Sequence, residues 1–298
     1  MRKLIVLALV GFVAQLVDGS LGMGYGVTSS SLLILAGLTP AAASASVHFS
    51  ELGTNIASGL SHWKLKNVDW RVVARVAGPG AIGAFLGATV LSNLSTEAAA
   101  PVMAAILALL GAYVLARFMI GFVPPKFKKQ ISLKFLAPLG LFAGFVDATG
   151  GGGWGPVATP ALLADGRMEP RKVIGSVDTS EFAVSAAASL GFLIGLGAAG
   201  INWGFALALL IGGLVAAPLA AILVRFAPTH LLGVAVGGLI LLTNSRTLMK
   251  SFDVPADVRW WIYGAIALVT LAGLYVAASR AKKGAEAGSV AEKSVVNA

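Results

Sequence analysis

Apolar residues run through this chain in stretches longer than a soluble helix or strand needs. Six of them, near 41–61, 71–92, 98–119, 172–196, 203–224 and 229–249, predict long helices, and another lies near 258–278. A helix takes roughly 20 apolar residues to cross a hydrocarbon core of about 30 Å. Four further apolar segments are shorter, near 4–17, 27–38, 134–147 and 156–164. They come in two pairs, and each pair is split by glycines: G-M-G-Y-G at 22–26 and G-G-G-G-W-G at 150–155. Segments this short suit a re-entrant hairpin or a broken helix. Irregular backbone at membrane depth survives only where protein buries it or it lines a cavity, so the two breaks point to a cavity.

The pattern repeats. G-F-V-A-Q-L-V-D-G-S-L-G-M-G-Y-G from Gly11 aligns with G-L-F-A-G-F-V-D-A-T-G-G-G-G-W-G from Gly140. Asp18 falls on Asp147, Gly22, Gly24 and Gly26 on Gly151, Gly153 and Gly155, and Tyr25 on Trp154. S-V-H-F-S-E from Ser46 matches S-V-D-T-S-E from Ser176, and then Trp70 matches Trp203 and Gly80 matches Gly213. Duplication of this kind is the first thing to seek in a sequence. The expected organisation is a first repeat at 1–120, a Pro- and Lys-rich cytoplasmic linker at 121–133, a second repeat at 134–250, and an extra helix with a cytoplasmic tail at 251–298. The tail after Arg280, small and charged, is expected to be disordered.

Loop charge gives a direction. The 61–75 loop carries Lys64, Lys66, Arg71 and Arg75, whereas its counterpart G-L-G-A-A-G-I-N has no charge. The 38–41 turn is neutral, whereas its counterpart carries Arg167, Arg171 and Lys172. Positive loops stay in the cytoplasm, so the halves are expected to be inverted. This puts the linker and the C-terminus inside and the N-terminus outside. Arg2 and Lys3 before an apolar run resemble a signal peptide, but no A-x-A site follows and the segment has a counterpart in the second half.

Composition agrees. Charged residues make up 12% of the 298 residues and hydrophobic ones 57%, against roughly 25% charged in a soluble domain. The predicted fold class is an all-α integral membrane protein with two inverted-topology repeats, each a short broken-helix hairpin plus three long helices, and one extra C-terminal helix. The formal charge of +9 is read as cytoplasmic loops facing a lipid bilayer, not as a nucleic-acid surface. No Cys is present and His48, His62 and His230 are scattered, so neither a metal site nor a cofactor is expected.

Paired interrupted helices in inverted repeats point to a midplane substrate site. A helix restarts after each break, and its first turn offers unpaired N–H groups and a partial positive charge. Two such starts facing one another suit an anion, and glycine lets the backbone approach it. The candidate substrate-binding residues are Gly22, Gly24, Tyr25, Gly26, Thr28, Ser29, Gly151, Gly153, Trp154, Gly155 and Thr159. Glycines also serve plain helix packing, as in Gly83-x-x-x-Gly87 and Gly233-x-x-x-Gly237, which in addition permit a homodimer. A lone G-Y-G is not the four-fold set of loops a potassium filter needs.

Buried acids form the second candidate set. Asp18 and Asp147 precede the breaks and can hold the hairpin tips by accepting turn N–H groups. Ser44, His48, Glu51, Asn55, Ser58 and His62 recur at spacings of four, three, four, three and four, one polar face on an apolar helix. The second half offers Asp178, Glu181, Ser185 and Ser189. Such a stripe either glues helices together or lines a pathway. The coupling or pathway candidates are Asp18, His48, Glu51, Asn55, Asp147, Asp178 and Glu181, with protons as the coupling ion.

V-D-G-S-L-G-M-G-Y-G and V-D-A-T-G-G-G-G-W-G-P, with the duplicated S-V-x-x-S-E, resemble the sulfite exporter TauE/SafE family, also called the toluene-sulfonate uptake permease family. The resemblance covers about residues 4–250. It implies a bacterial inner-membrane transporter of sulfite, sulfate-like anions or organosulfonates, working in export or uptake. The expected function is secondary transport of a small sulfur-containing oxyanion. The alternative is a passive anion channel or uniporter. An enzyme is not expected, since no nucleophile–base pair or cofactor motif has a credible context.

Overall fold

A backbone in hydrocarbon must satisfy its own hydrogen bonds, and this chain does so with helices. The computed structural model describes residues 2–120, 131–165, 167–223 and 229–296. Among them lie α1 (Arg2–Leu21), α2 (Tyr25–Leu35), α3 (Pro40–Lys64), α4 (Trp70–Ser92), α5 (Thr96–Ile120), α6 (Leu133–Gly150), α7 (Trp154–Asp165), α8 (Pro170–Leu196), α9 (Trp203–Leu223), α10 (Thr229–Ser251) and α11 (Ala256–Val296), and no strand. Seven of these, α1, α4, α5, α6, α8, α9 and α11, are long and apolar enough to cross a membrane. The all-α membrane class expected from the pattern is the class found. α3 is as long as the spans, but its polar stripe dilutes its apolar character.

Local chemistry sets the boundaries. Thr39 caps α3, accepting from the Ala42 amide at 3.3 Å, and Pro40 occupies the first turn, where its missing N–H costs nothing. Asp69 caps α4 through Arg71 N at 3.0 Å. Two expectations need correcting. The first helix of each hairpin is longer than the segments 4–17 and 134–147, because neither Asp18 nor Asp147 stops it; α1 has 20 residues and α6 has 18. The tail expected to be disordered continues α11 to Val296, through an Ala-, Glu- and Lys-rich sequence of good helix formers. Most of the linker at 121–133 lies outside the described residues. Its last part is anchored: Ile131 is buried and its carbonyl accepts from Arg75 Nη1 at 3.2 Å.

The helices of the two halves interleave. α1 packs along α9, and its sequence counterpart α6 packs along α4. α3 lies against α8 and α5 against α10, while α11 sits outside on α10 and α5. Small residues let these axes approach. A Cβ on Gly140 would lie 2.6 Å from the Val76 carbonyl, and one on Gly11 would collide with the Leu209 carbonyl. The short helices α2 and α7 are held inside this frame, where Leu33, Trp154 and Leu162 are fully buried.

Candidate functional site

Each break is three residues long. α1 ends at Leu21 and α2 restarts at Tyr25; α6 ends at Gly150 and α7 restarts at Trp154. Gly22 (φ 69°) and Gly151 (φ 68°) take the left-handed cap conformation that a side chain would strain. The aspartate one turn earlier fastens each tip. Asp18 accepts from Gly22 N on its carbonyl at 2.6 Å and from Tyr25 N on Oδ1 at 3.2 Å. Asp147 accepts from Gly152 N on its carbonyl at 2.8 Å, and from Gly153 N (2.7 Å) and Trp154 N (3.0 Å) on Oδ1.

The two tips meet backbone to backbone. A Cβ on Gly26 would stand 2.6 Å from Gly152 Cα, and one on Gly155 would stand 2.6 Å from Met23 Cα. A Cβ on Gly152 (φ 147°) would overlap Val27 N. The contact is clasped twice: Ser30 Oγ donates to Gly151 O and Thr159 Oγ1 donates to Gly22 O. Ser30 and Thr159 match in the alignment of the halves, and Ser30 was not among the sequence candidates. The alignment was the signal that finds it. Thr28 and Ser29 are buried beside the contact with hydroxyls that have no partner among the described residues. The first turns of α2 and α7 therefore each lie against the opposing break in a buried seam. Gly24 (φ 128°) and Gly153 complete the turns.

Tyr25 and Trp154 anchor the restarted helices to the long ones. Tyr25 Oη lies 3.0 Å from Ser50 Oγ on α3, and Trp154 Nε1 donates to Val177 O on α8 at 3.0 Å. Gly80 makes room for the Trp154 ring, where a Cβ would stand 2.5 Å away, and Gly213 lies beside the Tyr25 ring. The polar ends of both aromatic side chains are turned to the scaffold rather than to the seam.

The acids gather behind the tips at two stations. At the first, His48 Nε2 lies 3.1 Å from Asp147 Oδ2, with His48 Nδ1 held 2.8 Å from Ser44 O. Glu51 follows one turn on and accepts from Ser185 Oγ at 2.9 Å, while Asn55 Nδ2 donates to the same hydroxyl at 3.4 Å. Glu51 also reaches the seam, its Oε1 standing 3.2 Å from where a Cβ on Gly26 would be. At the second, Asp18, Asp178 and Glu181 bring carboxylate oxygens within 4.8 Å of one another. His62 Nε2 stands 3.9 Å from Asp178 Oδ2. Each of these acids and both histidines is buried, whereas no Lys or Arg is buried among the described residues. Buried carboxyls without a basic partner are costly in a membrane and mark functional candidates.

The structure thus brings every candidate residue of the sequence reading to one region, the tips and the α3–α8 stripe behind them. The two G-x-x-x-G runs lie elsewhere. A Cβ on Gly87 would stand 2.6 Å from the Phe145 carbonyl, and Gly237 abuts Leu115. Both runs are used inside the chain, so they lend nothing to a homodimer.

Known sequences can be set beside this geometry. The family model described as Sulfite exporter TauE/SafE matches residues 7–247. The probable membrane transporter protein YtnM of Bacillus subtilis (strain 168) is 51% identical over 282 residues, which cover 94% of each chain. No solved structure matches. The matched span takes in both Gly-rich tips and both acidic stations, and the chain belongs to the sulfite exporter TauE/SafE family of membrane transporters.

Proposed function

We propose that this transporter is a secondary carrier of a small sulfur-containing oxyanion, sulfite or sulfate first and an organosulfonate second. The anion is held between the first turns of α2 and α7. One observation carries the reading: two helix starts, both glycine-lined and fully buried, face each other at a seam free of lysine and arginine. The anion's partners are then dipoles, amides and hydroxyls, with the Glu51 carboxyl at the edge of the seam, and the dipoles and donors suit a dehydrated oxyanion better than a cation. The seam is closed by backbone contact and the two clasps. Anion entry requires the tips to part, which frees Thr159 and Ser30 to join Thr28 and Ser29 as donors.

The duplication in the sequence supports a first repeat at 1–120, a linker at 121–133, a second at 134–250 and an added element at 251–298. Inverted halves rocking about the seam would expose it to each side in turn. Loop charges favour an inner-membrane orientation with the C-terminus and linker inside and the N-terminus outside. The buried acids favour protons as the coupling ion.

The test is flux of sulfite and sulfate into proteoliposomes, with and without an imposed pH gradient, and with potassium as the control. The expected result is saturable anion flux that follows the gradient and loses that dependence in Glu51→Gln or Glu181→Gln. Anion flux indifferent to the gradient would favour the passive channel or uniporter. Potassium flux without anion flux would overturn the anion seam.

A further inference from the structure

The two stations occupy matching places, yet they carry different chemistry. Asp147 on α6 faces His48 on α3; the matching Asp18 on α1 faces Asp178 on α8. A His–Asp pair can be satisfied without outside help as an imidazolium and a carboxylate, Nε2 donating to Asp147 and Nδ1 to Ser44 O. Asp18 and Asp178 cannot pair in that way. Their carboxylate oxygens lie within 4.8 Å of each other, and two carboxyls bond directly only when one of them carries a proton. Neither Asp178 oxygen has a donor partner among the described residues.

The surroundings of the second station differ too. His62 on α3 is fully buried and aims Nε2 at Asp178 from 3.9 Å, with no hydrogen-bond partner for that nitrogen. Its other nitrogen lies 3.2 Å from Asn67 Nδ2, at the loop that joins α3 to α4. The residue that matches His62 in the second half is Phe192, whose ring packs on His48 at 5.8 Å. So the first station is stoppered by a buried hydrocarbon ring, whereas the second is connected through an imidazole to a helix end and its loop. The remaining neighbours are Ser58 on α3, Glu181 on α8 and Tyr25 on α2, with Glu51 and Asp147 next in line.

We propose that the Asp18–Asp178–Glu181 cluster is the proton-loading site of this transporter, filled through His62 from the α3–α4 loop, and that the His48–Asp147 pair is a fixed positioning pair. A proton arriving from the loop side binds His62 Nδ1 as the Asn67 amide gives way, the proton on Nε2 passes to an Asp178 oxygen, and it is shared there with Asp18. Because Asp18 also accepts the first amide of α2, loading the cluster acts directly on the hairpin tip. The role rests on the transport reading above; the site itself does not.

The experiment is infrared difference spectroscopy of the purified full chain between acid and alkaline buffer, with no substrate present. The account expects a protonated-carboxyl signal that is lost in Asp178→Asn and reduced in Glu181→Gln. After a pH jump, proton uptake should slow in His62→Phe, which copies the first station's stopper. The Glu181 and His62 variants keep the test usable if Asp178→Asn does not fold. Absence of the signal in the unmutated protein would overturn the proposal. So would sodium binding that disappears in Asp178→Asn, which would make the cluster a metal-cation site. Sulfite flux in the same preparations separates the two readings. Carboxyl signal without anion flux upholds the proton site and sinks the transport of sulfite. Anion flux without the signal does the reverse.

Discussion

The two hairpin tips share a left-handed first glycine, Gly22 and Gly151, then differ in backbone course, with positive φ at Gly24 in one and at Gly152 in the other, and they are held by different means. At the first, Met23 is buried among Val17, Leu21 and Val114, so apolar packing fixes the turn. Its Asp18 makes one side-chain amide bond and turns its remaining surface to Asp178. At the second, the matching position is Gly152, which has no side chain to pack and is pressed against Gly26 and Val27. There Asp147 commits one oxygen to two amides and the other to His48. The second tip is thus pinned by polar bonds, and the first is coupled to an acidic cluster whose charge can change. Duplication supplies one frame, and a few substitutions divide its labour between a fixed tip and a responsive one.

The sharpest way to break this comparison is at the seam. Gly152→Ala places a Cβ on the α2 backbone in a conformation that alanine resists. It should cost on the order of 4 kcal/mol or more, read as failure to fold or as a large drop in detergent thermal stability. Met23→Ala at the matching position should cost about 2–3 kcal/mol, the cost of a core cavity. Equal costs would remove the distinction between the tips.

The aspartates come next. Asp147→Ala leaves two amides and His48 without their acceptor and should cost about 3–5 kcal/mol. Asp18→Ala loses one amide bond but relieves the carboxyl cluster, and should cost only about 1 kcal/mol. The same unfolding measurement reads both, and the order Asp147 above Asp18 is what matters. The smallest effects belong to the clasps. Ser30→Ala and Thr159→Val should each cost about 1 kcal/mol and should favour parted tips, seen as faster labelling of buried seam positions. A large, one-sided effect would show that the clasps are not equivalent.

Much of this was legible before any coordinates. The duplicated V-D-x-x-x-G pattern gave both tips, both capping aspartates and the matching of Glu51 with Glu181, because internal repetition is visible in one sequence. The alternation of four and three along α3 gave the stripe that carries both histidines. Helix lengths were less legible: the apolar runs are interrupted at Asp18 and Asp147, yet a buried aspartate that accepts the amides of the turn lets the helix run on to the glycine. The clasps were hidden because Ser30 and Thr159 are ordinary helix residues until the opposing carbonyls are in place. The contrast between His62 and Phe192 needed both the alignment and the three-dimensional contacts to acquire meaning.

The central claim is that the seam between α2 and α7 opens to take an anion. The chain has no cysteine, so a single Thr28→Cys on α2 can report on the seam without interference. The measurement is the rate at which a small thiol reagent labels that cysteine in proteoliposomes, with and without saturating sulfate or a small sulfonate. The account predicts slow labelling, limited by parting of the tips, which the anion suppresses and chloride at equal ionic strength does not. Labelling that is indifferent to the anion, in a preparation that still transports it, would place the binding site elsewhere.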